Sequence, residues 1–591
     1  METKKHSAPK MIIEGKTVLG IRGRKSDVSM VALPRWLDTI GAKAFSECAE
    51  LKSLTLPVTI TCVNNSAFFS CHGITSLKLP EALTHVGHGA FRNCTGLATL
   101  ALPDGLKNIG DCAFAGCSGL KSLKLPKTIT NISESAFAGC TGLSVLAMPK
   151  HLTHIAFGAF CGCSGLTSVV LPEDMSSIGK NAFWGCTGLV SVSLPKNLES
   201  VGSEAFYRCS KLASLTLPKT IRLVECKAFS HCSGLTSLQI PDSVTRLGSQ
   251  AFSFCSELAS LTLSCTLTHV GSEAFSHCSK LTSLTIPESL TCLETEAFSH
   301  CSGLTSLTLP NTFTSVDCGV FSFCSGLTSL VLPETVTVVG IEAFAFCSGI
   351  TSIALPSALE IIDQYAFHSC SGLTSLELPQ KLMTIGAHAF WGCSGITSLS
   401  LPSKITSVSE SAFWGCAGLT SLTLPSTLQH IGDKAFAECT GLTSLTLPDA
   451  LKSIGESAFY HCTSITSVTL PGRLERLGAH AFAFCTRLTS VELPDSLILV
   501  GSEVFGHCDN LATVVFRPAV SRAAFIAWAV GNMRNRANWQ LTSVKYFSVV
   551  MRLITSLATE KRDVSTVDPD GRKEVFKCCA HLNNKTKIFD L

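Results

Sequence analysis

The chain has 591 residues, of which 46% are apolar and 15% charged, ample material for a large core. Forty-six basic against forty-three acidic residues leave a formal net charge of +3, which excludes the electrostatic footprint of a dedicated nucleic-acid binder. No apolar run approaches the roughly 18 to 20 residues of a membrane-spanning helix. The opening METKKHSAPKMIIEGKTVLGIRGRKSD holds no signal-peptide core, its longest apolar stretch being Met11-Ile12-Ile13, so the expected location is cytoplasmic.

Residues 1–33 read as an N-terminal cap, with a hairpin around Glu14-Gly15 and a degenerate first strand over Val28–Leu33. From residue 34 to 516 the chain is a single repeat: 483 residues, or 21 units of 23, with no insertion or deletion. A Leu-Pro pair marks each unit from Leu33 to Leu493, with Met148, Ile240 and Ile286 as conservative replacements and Ser264 once in place of proline. Fixed-period similarity of this size is the signature of a solenoid.

A working unit reads P-x-x-L-x-x-I-G-x-x-A-F-x-x-C-S-G-L-T-S-L-T-L. The Leu304-Thr305-Ser306-Leu307-Thr308-Leu309 segment has L-x-x-L-x-L spacing, and alternation along a strand turns Leu307 and Leu309 inward and Ser306 and Thr308 outward. Pro310 ends the strand, because it has no N–H to donate. Glycines such as Gly87 and Gly110 are expected at a tight corner, and A-F-x-x-C as irregular chain or one helical turn. Each Leu or Phe buried between stacked coils is worth roughly 1.5–3 kcal/mol, accumulating from neighbour to neighbour.

Twenty-one of the thirty cysteines fall in one column, from Cys48 to Cys508, with a phenylalanine three residues before each, from Phe45 to Phe505. That regularity reads as interior wall, with cysteine acting as a small buried hydrophobe. Stacked side chains in one column point in parallel, which is poor geometry for disulfides, and an odd number cannot pair completely. Zinc would need four converging ligands, and no C-x-x-C pair occurs.

After Phe516 the period fails. Residues 517–560 are expected to form a helical C-terminal cap: Ser521 caps a short helix through Ala529, and a second runs from about Gln540 to Ala558 with Leu541, Val544, Phe547, Val550, Met551, Ile554 and Leu557 at helical spacing. Residues 561–591 read as a polar, flexible tail.

The pattern L-x-x-I/L-x-L-P-x-x-L-x-x-I-G-x-x-A-F-x-x-C resembles the BspA-like leucine-rich repeats over about four fifths of the chain. The resemblance implies a right-handed solenoid used for attachment and protein binding, without catalysis. The fold expected is an α/β leucine-rich-repeat superhelix of about 21 coils, with a parallel β-sheet on one face and an α-helical C-terminal cap.

One stretch breaks the monotony. The position before the column cysteine reads His231, Phe254, His277, His300, Phe323 and Phe346 in six consecutive coils, where other units carry Gly116, Gly139, Gly162, Gly185, Gly392 or Gly415. Stacking would place these rings in one ladder, a candidate partner-binding patch; the structural alternative is that the rings fill a locally wider turn. Trp184, Trp391 and Trp414 occur in a W-G-C variant and read as compensating for the volume the glycine lacks. The outward Ser/Thr columns resemble ice-binding β-solenoids in outline, but Lys78, Lys124, Gln239, Glu377 and Glu492 interrupt them.

No G-x-x-x-x-G-K-[ST], H-E-x-x-H or G-x-S-x-G motif is present, and no catalytic, cofactor or metal residue is expected. The function expected is a non-catalytic, intracellular protein-binding scaffold with unidentified protein partners. A cell-surface adhesin of the BspA-like type is the alternative, and an ice- or surface-binding solenoid the third reading.

Overall fold

A computed structural model describes residues 10–516. The expected helices of residues 517–560 and the tail after them lie outside the described residues. The chain divides into two compact units, Met1–Thr312 and Phe313–Leu591. About 21 turns of one β-solenoid coil make up the described chain, and helix is almost absent from it.

The first unit opens with an antiparallel hairpin of β1 (Lys10–Glu14) and β2 (Thr17–Arg22), turning at Gly15 with φ +54°. This is the hairpin read around Glu14-Gly15. The degenerate first strand is also present, as β3 (Met30–Ala32), which pairs in parallel with β5 (Ser53–Thr55). β2 pairs in parallel with β4 (Thr39–Ile40), and β4 with β6 (Cys62–Val63), so the hairpin closes one end of a six-stranded sheet.

Two columns of parallel strands therefore run through each unit, rather than the single sheet expected. One is built from Ser-Leu-Thr segments such as Ser283–Thr285 and Ser306–Thr308, paired residue for residue at an offset of one repeat. The other is built from two-residue strands such as His269–Val270 and Cys292–Leu293. The second unit repeats both: Ser407–Val408 to Leu499–Val500 forms five strands of the short column, and Leu445–Thr446 to Thr513–Phe516 four of the other.

Each coil points one set of side chains inward. In the coil ending at Leu309, the residues Leu290, Leu293, Ala297, Phe298, Cys301, Leu304 and Leu307 are all buried. The phenylalanines form a continuous stack in each unit, with ring centroids 5.1–5.6 Å apart from Phe45 to Phe298 in the first. The cysteine beside each ring is buried. Its thiol donates to the phenylalanine carbonyl of the preceding coil, as from Cys71 to Phe45 at 3.0 Å and from Cys94 to Phe68 at 3.2 Å. Burial pushes the Cys255 thiol up to about 12, with the backbone N–H at Cys232 opposing. The residue that the repeat demands is thus a small buried group with one weak donor.

The A-F-x-x-C side corrects the α/β expectation. No α-helix lies there or elsewhere among the described residues; the one helical element is the short 3-10 turn Lys25–Asp27. Alternate N–H groups bond back three residues, as from Ala90 to Gly87 at 3.3 Å, while the others bond forward to the next coil, as from Phe91 to Ala113 at 2.7 Å. A helix would aim every N–H along its own axis, and such a segment could not stitch coils together.

The glycines serve close approach rather than a tight corner. A Cβ on Gly87 would meet Asn65 Oδ1 at 2.7 Å, and one on Gly303 would meet the Ser279 carbonyl at 2.5 Å.

Candidate functional site

Two backbone positions in every coil are left-handed, one at the second residue before the Ala-Phe phenylalanine and one just before the column cysteine. At the latter, φ is +69° to +74° where glycine stands (Gly116, Gly139, Gly162, Gly185, Gly392, Gly415). It is +57° to +61° at His231, Phe254, His277, His300, Phe323 and Phe346. The turn is therefore the same in both kinds of coil, and the rings do not fill a wider one. A left-handed bulky residue is an outlier costing roughly 1–2 kcal/mol, so the fold has no need of a ring where glycine serves.

The rings do stack. In the first unit His231 lies 4.3 Å from Phe254, Phe254 4.2 Å from His277, and His277 4.1 Å from His300, all within 11° of parallel. Each stacked pair returns about 0.5–1.5 kcal/mol, which roughly offsets the backbone cost and makes the rings tolerable. In the second unit Phe323 and Phe346 stack at 4.4 Å and 9°. Phe254 and Phe346 are each 37% exposed, and the others are half-buried.

More rings join than the cysteine column alone suggests. In the first unit Tyr207 meets His231 edge-on at 5.2 Å, and Trp184 stacks on Tyr207 at 6.1 Å. In the second, His368 meets Phe346 edge-on at 4.6 Å and stacks on Trp391 at 4.8 Å, and Trp391 stacks on Trp414 at 5.0 Å. These extra rings sit one residue earlier, directly after the buried phenylalanine. From His231 to His300, where the ring stands at the later position, serine takes the earlier one: Ser230 and Ser253 are buried and share a hydrogen bond of 2.7 Å, as do Ser276 and Ser299 at 2.8 Å. From the Trp184 coil to the Trp414 coil, one ring per coil at either of two adjacent positions was the pattern to look for, and the W-G-C units belong to it.

Burial lowers the His231, His277 and His300 imidazoles below their ordinary range, and at His231 the Arg208 and Lys227 charges push the same way. At His277 the neighbouring His300 and His231 lower it further, while Glu273 opposes. No group of three or more His, Cys, Asp or Glu that could hold a metal gathers among the described residues. No helix among them is long and apolar enough to cross a membrane.

The strand face carries the alternative surface. Around Thr216, Ser237, Gln239, Ser260 and Thr262 it holds a shallow depression of about 950 Å³, bordered by Lys219 and Asp242.

Comparison with known proteins follows the repeat. The family model of the BspA type leucine rich repeat region matches six times, over residues 24–144, 85–209, 137–255, 176–305, 291–420 and 406–527. A comparison with curated protein sequences finds no match. Among solved structures, a leucine-rich repeat protein from Bacteroides ovatus is 22% identical, covering 87% of this chain and 99% of that one, with a TM-score of 0.36. A leucine rich cell surface protein from Faecalibacterium prausnitzii is 25% identical over 64% of this chain and 85% of that one, with a TM-score of 0.32. A leucine-rich repeat protein from Eubacterium ventriosum is 20% identical over 56% of this chain and 83% of that one, with a TM-score of 0.37. With the family model spanning nearly the whole described solenoid, the chain belongs to the BspA-type leucine-rich repeat family.

Proposed function

We propose that this chain is a non-catalytic, protein-binding solenoid of the attachment type, displayed at a cell surface, and that the ring ridge is where it holds its partner. The observation that carries the reading is the stacking of partly exposed rings at one position of successive coils, His231, Phe254 and His277 in the first unit and Phe323 and Phe346 in the second. Half-exposed aromatic rings are the residue type that anchors protein interfaces. Membership of the family supports attachment over catalysis.

A second reading, an intracellular scaffold, is favoured by the thiols. Exposed Cys226 and Cys265 stand outside any disulfide, and reduced thiols are usual in reducing compartments. Protease treatment of intact and permeabilised cells separates the two. Cleavage of the tagged native chain on intact cells is the expected result; protection until permeabilisation transfers the proposal to the intracellular scaffold.

A further inference from the structure

We propose that the ridge of the first unit, running from Arg208 and Lys227 through His231, Phe254, His277 and His300, is a docking strip for an acidic, aspartate- or glutamate-bearing peptide segment of the partner. The inference rests on the reading of the ridge as a binding surface and names the chemistry it takes.

The stacking decides which part of each ring a ligand can reach. With His231, Phe254, His277 and His300 within 4.1–4.3 Å of one another and nearly parallel, their faces are spent on each other. Sugars and quaternary ammonium groups, which need an open face, are poorly served. What remains toward solvent is a stripe of ring edges, the electropositive part of the aromatic quadrupole. The ring nitrogens of His231 and His277 make no hydrogen bond to any described residue, so each offers an N–H to an acceptor.

The charges around the stripe point the same way. Arg208, Lys211 and Lys227 are in no ion pair with a described residue, and the Arg208 guanidinium lies 5.4 Å from the Tyr207 ring centre beside His231. Of the nearby acids, Glu257 pairs with Lys280 at 2.5 Å, and Glu273 accepts from the neutral Gln250 amide at 2.8 Å and keeps its charge. Unpaired cations at one end and ring edges along the length complement a run of carboxylates. Protonation of the imidazoles adds positive charge to the strip. Arg208 and Lys227 face His231, while His231, His300 and Glu273 face His277. Binding should therefore strengthen as pH falls from about 8 to about 5.

The test uses the full chain and a fluorescein-labelled peptide of alternating aspartate and glycine, with asparagine/glycine and lysine/glycine peptides as comparators, read by anisotropy. Wild-type protein is expected to bind the aspartate peptide at least about tenfold more tightly than either comparator. The His231→Asn/His277→Asn variant should show a weaker pH dependence, since asparagine keeps the left-handed turn without titrating and only His300 still titrates in the strip. The Arg208→Gln/Lys227→Gln variant should weaken binding about tenfold, while Lys121→Gln/Lys124→Gln, the same charge change on the strand side, should leave it within about twofold. Equal binding of the aspartate and asparagine peptides, or equal loss from both lysine-containing variants, overturns the inference. A partner cross-linked at the ridge with no aspartate-peptide binding would sink this chemistry and leave the ridge as the binding surface.

Discussion

Phe252 tests the packing most sharply. Its ring is fully buried and stacked on Phe229 at 5.3 Å and Phe275 at 5.6 Å. Phe252→Ala should cost about 3–5 kcal/mol, from lost burial and the cavity left behind. If the stack contributes beyond burial, a double-mutant cycle of Phe252→Ala with Phe275→Ala should give a coupling of about 0.5–1.5 kcal/mol. Phe252→Ala with Phe137→Ala, whose ring lies five repeats earlier in the same unit, should be additive within about 0.5 kcal/mol. Long repeat arrays lose two-state behaviour, so the assay is native-state hydrogen exchange of the Phe229 and Phe298 coils, which reports local opening. Zero coupling between Phe252 and Phe275, or coupling to Phe137 of the same size, would refute a nearest-neighbour stack.

The thiol column predicts selective chemistry. Iodoacetamide on the native protein should label exposed Cys226 and Cys265 and spare buried Cys255, whose pKa near 12 leaves almost no thiolate at neutral pH, until denaturant is added; early labelling of Cys255 contradicts the packing. Gly303→Ala should destabilise by about 1–3 kcal/mol through its backbone clash, whereas Gly15→Ala, with open space around its Cβ but φ +54°, should cost only about 1 kcal/mol; thermal unfolding ranks the two. Because the folded imidazoles of His231, His277 and His300 sit below 6.5, the unfolded chain binds more protons as pH drops through that value. Wild-type stability should therefore decline below about pH 6.5, and the decline should be shallower in His231→Asn/His277→Asn; identical slopes would remove the imidazoles from the account.

Much of the fold was legible because its rules are one-dimensional. The 23-residue period, the phenylalanine and cysteine columns and the hairpin at Gly15 depend only on neighbours in sequence or one repeat away. The short second strand column was not legible: a two-residue strand such as Cys292–Leu293 is too brief for alternation to register. The left-handed turns were hidden because glutamate, lysine, histidine and phenylalanine occupy most of them, as at Glu273, Lys227 and Phe254. Tertiary bonds between coils hold those residues where local preference would not. The ridge was half visible: its members before the cysteine were found, but Tyr207, His368 and Trp391 reach it from the neighbouring position, which a single-column search passes over.

The most direct test of the ridge as the binding surface is site-specific photocross-linking in cells that make the protein. A photoreactive phenylalanine analogue would stand at position 254 on the ridge in one variant and at position 285 on the strand face in another. The account predicts a discrete protein adduct from position 254 and none from position 285. Adducts from position 285 alone would move binding to the Ser/Thr face and contradict the central claim.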